Sequence, residues 1–371
     1  MNNVIIVTGV TGQDGSHMVD YLLKNTDYKI IGTKRRLSVP NHENISHINS
    51  DRFETIYFDL ADNESIQNAV RKYKPAYFIN FAAQSFVGSS WDIPVSTWNI
   101  NATGVLHILE AIRNFSPKTR FYNAGTSEEF GDVQYCPQDE KHPLRPRSPY
   151  GAAKAGARHL VKVYRESYNL YAIQGWLFNH EGTRRGEEFV TRKITKGIAR
   201  IKSAIDKGES FDPIRLGNLD AKRDWSDAED LVEGVWRMLN QEIYRDDLKS
   251  FGYDGQSYSV DEVRNLTDYI LASNETHSIR EFVELAFDSA GIDGVWYRGS
   301  ENPTDEKYLS RSATADLVVV DEKFFRPAEV SVLHGNCNKI QNELGWKPKS
   351  SFKDLVDKMV TNDMLIEQAS K

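Results

Sequence analysis

An α/β protein built on a doubly wound parallel sheet, with a smaller α/β unit interleaved towards the C-terminus, is the fold this sequence predicts. Three observations predict it. Apolar runs of strand length alternate with longer amphipathic segments, a glycine-rich turn follows the first run directly, and near Asn179 the alternation breaks into charged loops that regain order only in pieces.

The strand-sized runs are Val4–Val7, Lys29–Gly32, Thr55–Asp59, Ala76–Phe81, Arg120–Ala124 and Ala172–Phe178. Between them, Gly15–Lys24, Asn63–Tyr73, Ile100–Asn114 and Tyr150–Tyr168 carry apolar residues at three- and four-residue spacing, as amphipathic helices do. Such alternation implies a parallel sheet covered by helices on both faces, the Rossmann-type arrangement. Residues 1–178 form this dinucleotide-binding domain, with a returning part near 226–275 that includes a strand at Asp268–Leu271. Residues 179–225 and 276–371 form the smaller unit. It holds a basic helix at Glu188–Lys207, a short strand at Ile214–Leu216 and a helix at Ser278–Ser289. An irregular charged stretch at Gly299–Arg311 follows, and then the turn Gly345–Pro348 closed by a helix at Ser351–Glu367.

Composition removes several classes of function. With 40% apolar and 27% charged residues the chain of 371 residues is ordinarily globular. A net charge of −7 argues against broad nucleic-acid binding, which needs a basic surface to displace counterions from phosphates. No apolar run approaches the roughly 20 residues that span a bilayer. The two cysteines, Cys136 and Cys337, have no partner at metal-ligand spacing, so neither a disulfide framework nor a metal site is expected. The start lacks a secretory pattern, and the expected location is the cytoplasm.

The chemistry-bearing motifs follow the strands. Gly9, Gly12 and Gly15, in Gly9-Val10-Thr11-Gly12-Gln13-Asp14-Gly15, stand between the first strand and the first helix, where backbone can approach a pyrophosphate. Thr11, Gln13 and Asp14 lie in the same loop. The second strand ends in Lys34-Arg35-Arg36, where an NAD site usually places an acid for the ribose hydroxyls; Arg35 and Arg36 suit a 2′-phosphate, so NADP is the expected cofactor. A tight turn and a solvated basic turn are the plain alternatives. Asp59 and Leu60 stand where adenine would be flanked, and Phe81, Ala82, Ala83 and Ser85 offer a wall beside the cofactor; strand-end packing is the alternative for both. Tyr150 and Lys154 lie one helical turn apart, so the ammonium is expected to lower the phenol's pKa and make it a usable acid/base. Thr126-Ser127-Glu128 ends the fifth strand, which the sheet geometry carries to the nicotinamide.

Together with Arg147–Lys154, Phe178–Glu181, Arg184–Glu187, Phe189–Ile194, Leu216–Asp220, Lys222–Trp225, Phe325–Val330 and Leu344–Pro348, these motifs resemble GDP-mannose 4,6-dehydratase over nearly the whole chain. The resemblance implies a redox-neutral reaction in which hydride leaves C4, water leaves across C5–C6 and the hydride returns to C6. It makes Tyr150 the base at O4, Lys154 its tuner and the holder of the nicotinamide ribose, Thr126 the group that polarises O4, and Glu128 the base at C5. His180 and Arg185 match cofactor contacts. Ser85, Glu128, Asn179, Val190, Lys193, Arg223, Arg326 and Glu329 match the pocket for a GDP-linked sugar. The family also implies a homo-oligomer in which the loop Thr183–Glu188 reaches a neighbour, its charge being too dense to bury within one domain.

The chain departs from the family at Phe86 (histidine there), at Ser96 (a cofactor-contacting tyrosine), at Glu129-Phe130 (leucine-tyrosine) and at Gly182-Thr183 (serine-proline). These changes leave a GDP-manno-heptose as an alternative substrate. An epimerase or 4-ketoreductase on the same scaffold would have no use for Glu128, and a silent NADP-binding sensor would not need Tyr150, Lys154 and Glu128 together.

Overall fold

A computed structural model describes residues 2–248, 263–311, 315–325, 330 and 332–369. Seven parallel strands form the main sheet: β1 (Asn2–Thr8), β2 (Lys29–Lys34), β3 (Phe53–Tyr57), β4 (Pro75–Asn80), β5 (Arg120–Ala124), β6 (Ala172–Leu177) and, late in the chain, Ile270–Leu271. Their order is Ile270–Leu271, β6, β5, β4, β1, β2, β3, which reverses direction between β1 and β4. A crevice for ligands opens at the carboxyl ends of the strands at such a point.

Alternation along each strand divides the core in two. Ile5, Val7, Ile30, Tyr77, Ile79, Tyr122 and Ile173 face one layer, closed by α1 (Gln13–Asn25). Ile6, Ile31, Phe78, Phe121 and Ala172 face the other, closed by α2 (Asn63–Tyr73), α4 (Gly104–Phe115) and α5 (Pro149–Tyr168). The helix expected at Ile100–Asn114 is two pieces, a π-turn at Asn99–Thr103 and α4, and a short helix α3 (Pro94–Trp98) precedes it. Gly104 explains the tight seating of α4, since a Cβ there would come within 2.9 Å of Leu60.

After β6 the chain makes β7 (Asn179–Glu181), α6 (Val190–Lys207), β8 (Ile214–Leu216), β9 (Lys222–Arg223) and β10 (Trp225–Asp227). Helix α7 (Ala228–Met238) returns to cover the sheet beside α1, and β11 is the edge strand Ile270–Leu271. Then come β12 (His277–Ser278), α8 (Ile279–Ser289), β13 (Gly294–Arg298), β14 (Glu306–Ser310), β15 (Asp316–Val320), β16 (Val332–Leu333), α9 (Asn338–Leu344) and α10 (Phe352–Ala369). A separate core gathers Ile194 and Ile198 of α6, Phe282 and Phe287 of α8, Leu317 and Val318 of β15, and Val356 and Met359 of α10.

Two expectations change here. The stretch Gly299–Arg311 contains a strand: β14 pairs antiparallel with β13 and β15. Its charges hid the alternation, because Glu306 pairs with Arg280 and Arg298 while Lys307 pairs with Asp316. The smaller unit was expected to take 276–371 whole, but Leu333, Ile340, Leu344 and Trp346 pack against the first core. Trp346 fixes this by donating from Nε1 to the Asp230 carbonyl at 2.9 Å and lying against Gly234.

Candidate active site

Strand β1 hands over to α1 through Gly9, whose φ is +69°, a conformation costly for any side chain. A Cβ on Gly15 would lie 2.4 Å from the Gly9 carbonyl, so the helix sits directly on the turn. The Gly12 amide donates back to the Gly9 carbonyl at 2.9 Å, and Asn44 donates to the Thr11 carbonyl. Gly12 is the N-cap of α1 and supplies no side-chain cap, which leaves the positive helix end open to an anion. Gln13 donates to the His180 carbonyl at 3.1 Å, while its buried Oε1 has no partner.

Arg35 and Arg36 stand exposed past the end of β2, and among the described residues neither is paired with a carboxylate. Phe81 and Ala82 donate their amides to Thr8 Oγ1. Asp59 accepts from the Ala61 amide and shapes the turn into α2. Leu60 is turned into the core, so its side chain packs rather than faces a ligand. An uncapped helix end over a glycine cradle, with two unpaired guanidinium groups at the next strand, fits a dinucleotide that carries an extra phosphate.

The strand ends open into a cleft of about 680 Å³. On the sheet side it is lined by Phe81, Ala83 and Ser85 after β4, Thr126 and Glu128 after β5, Tyr150 and Lys154 on α5, and Asn179 and His180 on β7. Helix α5 begins cleanly: Ser148 Oγ caps the Gly151 amide at 3.0 Å and Pro149 takes the first position. That start puts Tyr150 and Lys154 in the first two turns, facing the 3₁₀ turn at Ser127–Glu129. Thr126 caps that turn by accepting from the Glu128 amide at 3.2 Å.

Lys154 Nζ donates to the Ala124 carbonyl at 2.9 Å. Burial pulls its pKa down to about 8, with the Glu129 and Asp14 carboxylates resisting. Burial pushes the Tyr150 phenol well above its ordinary value; the hydrogen bond from Thr126 opposes this, and the charges of Glu128 and Glu129 add to it. The expected lowering of Tyr150 by Lys154 is therefore not what this geometry gives. The ammonium is directed to a strand carbonyl and lies 5.9 Å from the phenol ring.

Asp14 and His180 make a half-buried pair at 2.9 Å, with His180 Nδ1 set against the Phe178 carbonyl at 2.7 Å. Burial opposes both charges, but each stabilises the other, holding the Asp14 carboxyl well below its usual range and raising His180. Arg185 pairs with Glu181 at 3.0 Å and lies 3.5 Å from the centre of the Phe189 ring.

The opposite wall carries Val190 and Lys193 on α6, Arg223 on β9, and Lys323 and Phe324. Lys193 sits 3.4 Å from the centre of the Phe324 ring, and burial together with Lys323 lowers it to about 8. Arg223 is buried and donates to the Lys222 carbonyl at 2.9 Å. Asn179 Oδ1 is buried without a partner at the cleft. Arg326 and Glu329 lie outside the described residues.

Sequence reasoning missed several residues of the cleft: Trp91, Asp92, Glu188, Asn218, Lys323 and Phe324. The last two immediately precede the Phe325–Val330 motif, which was the available signal. Among the family departures, Phe86 meets Phe189 edge to face at 5.9 Å within the cleft, whereas Ser96 is exposed on α3 and does not line it. The loop Thr183–Glu188 finds part of its pairing within the chain, while Glu187 and Glu188 stay exposed and Arg184 Nη1 is buried without a hydrogen-bond partner. Arg184 pairs with Asp20 at 2.7 Å, and Arg192 donates to the Thr183 and Arg185 carbonyls. Asp20, distant in sequence, thus takes one of the loop's charges.

A model of the family described as GDP-mannose 4,6 dehydratase matches residues 6–267 and 258–359. A GDP-mannose 4,6 dehydratase of Drosophila melanogaster is 40% identical over 98% of this chain and 86% of its own length. The chain belongs to the GDP-mannose 4,6-dehydratase family. The human GDP-mannose 4,6 dehydratase is 39% identical, over 98% of this chain and 91% of its own. Among solved structures, RMD from Pseudomonas aeruginosa complexed with NADPH has the same fold, with a TM-score of 0.70, 20% identity, and coverage of 98% of this chain and 99% of that one. Of the departures from the GDP-mannose 4,6-dehydratase pattern noted above, Glu129 is fully buried and accepts from the Thr126 amide at 2.9 Å.

Proposed function

We infer that this chain is an NADP-dependent GDP-mannose 4,6-dehydratase, converting GDP-mannose to GDP-4-keto-6-deoxymannose by internal hydride transfer from C4 to C6 with loss of water. The observation that carries this reading is the gathering of Thr126, Glu128, Tyr150 and Lys154 on one wall of a cleft whose opposite wall presents cations and an aromatic ring. NADP, when bound, supplies the acceptor for the C4 hydride and the donor that returns it to C6. Gly9, Gly12 and Gly15 would let its pyrophosphate reach the end of α1, and Arg35 and Arg36 would take the 2′-phosphate.

Tyr150 removes the O4 proton while Thr126 orients that oxygen. Because burial holds the phenol protonated, positive charge beside it is required, and Lys154 one turn away, which would also hold the nicotinamide ribose, would supply it. The 4-keto group acidifies C5–H, Glu128 takes that proton and passes it to the departing C6 hydroxyl, which leaves as water, and the proton held by Tyr150 goes back to C5 as the hydride returns to C6. Asp14 and His180 hold the cofactor side of the cleft together, and Asn179 offers an unpaired carbonyl to the sugar nucleotide. Residues 179–225 and the parts of 276–371 that share the second core form the unit binding GDP, with Lys193 and Arg223 at the phosphates and Val190 beside the base.

Asp92 and Glu188, carboxylates lining the same cleft, favour a second reading in which the sugar carries more hydroxyls beyond C6, a GDP-manno-heptose. Incubation with each sugar nucleotide, followed by product mass, decides: loss of one water without added reductant supports the dehydratase, and unchanged mass for both substrates overturns it. A homo-oligomer belongs to the same proposal, supported by Trp91, Ile93, Val95 and Trp98, which stay exposed on and beside α3. A cytoplasmic location is supported by the exposed free thiol of Cys136.

A further inference from the structure

A chain of hydrogen bonds crosses the sheet beneath the cleft, one strand at a time. Thr8 on β1 donates to Asn80 Oδ1 on β4 at 2.6 Å, Asn80 donates to Asn123 Oδ1 on β5 at 2.8 Å, and Asn123 donates to Gln174 Oε1 on β6 at 2.6 Å. Gln174 then donates to Glu129 Oε1 at 3.1 Å and to the main-chain carbonyl of Lys154 at 3.2 Å. All five side chains are buried, every donor points the same way, and the run ends on a carboxylate.

Glu129 is fully buried and also accepts from the Thr126 amide at 2.9 Å and from the Arg158 guanidinium. Arg158 donates to the carbonyls of Gln174 at 2.7 Å and Gly175 at 3.2 Å and lies over the Trp176 ring. A buried carboxylate is tolerated only when paired and hydrogen-bonded, and a network satisfied at every member has one arrangement. Such a network specifies geometry, and here it is joined to the backbone of both Thr126 and Lys154.

We propose that Glu129 is a positioning residue of the dehydration reaction: fixed by Arg158 and the Thr8–Asn80–Asn123–Gln174 ladder, it sets the turn that aims Thr126 at Tyr150 and the placement of Lys154 beside them. This rests on the dehydratase reading. Its charge also acts on the pair, raising Tyr150 and resisting the effect of burial on Lys154. The other charged groups acting on this pair are Glu128 on the same turn, Asp14 on α1 and Arg185 after β7, while Arg158, which holds Glu129, lies 3.7 Å from Asp268 ahead of β11.

Glu129→Gln keeps the side chain's size and removes its charge. The turnover of GDP-mannose should fall about 10- to 100-fold with KM within about twofold, as small misplacements of reacting groups produce. The rising limb of kcat with pH should also move to lower pH, since Tyr150 loses a charge that raises it. A lowered melting temperature with kcat per folded enzyme and the pH limb unchanged would overturn the proposal. If that variant does not fold, Gln174→Met leaves the Glu129–Arg158 pair intact and cuts the ladder. It should lower kcat about threefold or more at constant KM, and an unchanged kcat would overturn the proposal. Wild type assayed alongside separates the two claims: if it releases no water from either sugar nucleotide, the dehydratase reading fails instead.

Discussion

The two walls of the cleft are built by opposite rules. On the sheet side, the buried Glu129 and Arg158 and the half-buried Asp14 and His180 are charges with partners, and each polar side chain of the ladder is satisfied by the next strand. On the far side, Lys193 has an aromatic ring and a second lysine for neighbours; the Asp321 carboxylate acts on it, but among the described residues no carboxylate forms an ion pair with it. The difference separates two tasks. Groups that move protons must be held in one geometry, which saturated networks achieve. Groups that attract a diphosphate keep their charge available and meet their partner only when the ligand arrives.

The largest effects should come from the sheet side. Glu128→Gln should slow dehydration about 10²–10⁴-fold, the usual contribution of a positioned base, with KM little changed. Solvent deuterium exchange at C5 should fall in step with product formation; exchange at the wild-type rate would make Glu128 a structural carboxylate.

Arg158→Leu tests the buried network as structure. Stranding Glu129 in the interior should destabilise the fold by about 3–5 kcal/mol, read as a lower denaturation midpoint. Lys193→Met on the opposite wall should change stability far less. Equal losses would erase the contrast between the walls.

Lys193→Met should instead raise KM for the sugar nucleotide by about 10- to 100-fold, matching about 1.5–3 kcal/mol for a charge-assisted contact, with kcat nearly preserved. pH sharpens this. Lys193 is lowered to about 8 in the free protein, so its positive charge is present below that pH and lost above it. KM of the wild type should therefore climb as pH rises through about 8, and Lys193→Arg, which stays protonated, should flatten the climb. A pH-independent wild-type KM would remove Lys193 from the phosphate site.

Much of the sheet side was legible in the sequence because its signals are local. The strand period, the Gly9–Gly15 turn and the four-residue spacing of Tyr150 and Lys154 need no distant partner to be read. What escaped depends on contacts between remote segments. Glu129 reads as one more acid in Ser127-Glu128-Glu129 until Gln174 and Arg158 are brought to it. The pairing of Arg184 in the Thr183–Glu188 loop escaped too, because Asp20 lies far back in the chain. Strand β14 hid behind outward charges that pair across strands, and Lys323 and Phe324 gain meaning only when α6 places Lys193 against them. Likewise Lys154 and Tyr150 share a helix face as expected, yet the ammonium is spent on the Ala124 carbonyl, a detail that spacing does not encode.

The central claim is that this cleft removes water from a GDP-linked sugar while moving the C4 hydrogen to C6. It is tested most directly with GDP-mannose deuterated at C4, incubated with the NADP-loaded protein without added reductant. The account predicts a product lighter by one water that keeps the deuterium at C6, as mass spectrometry of its fragments would show. A product that has lost the label to solvent, or a C4 epimer of unchanged mass, would contradict it.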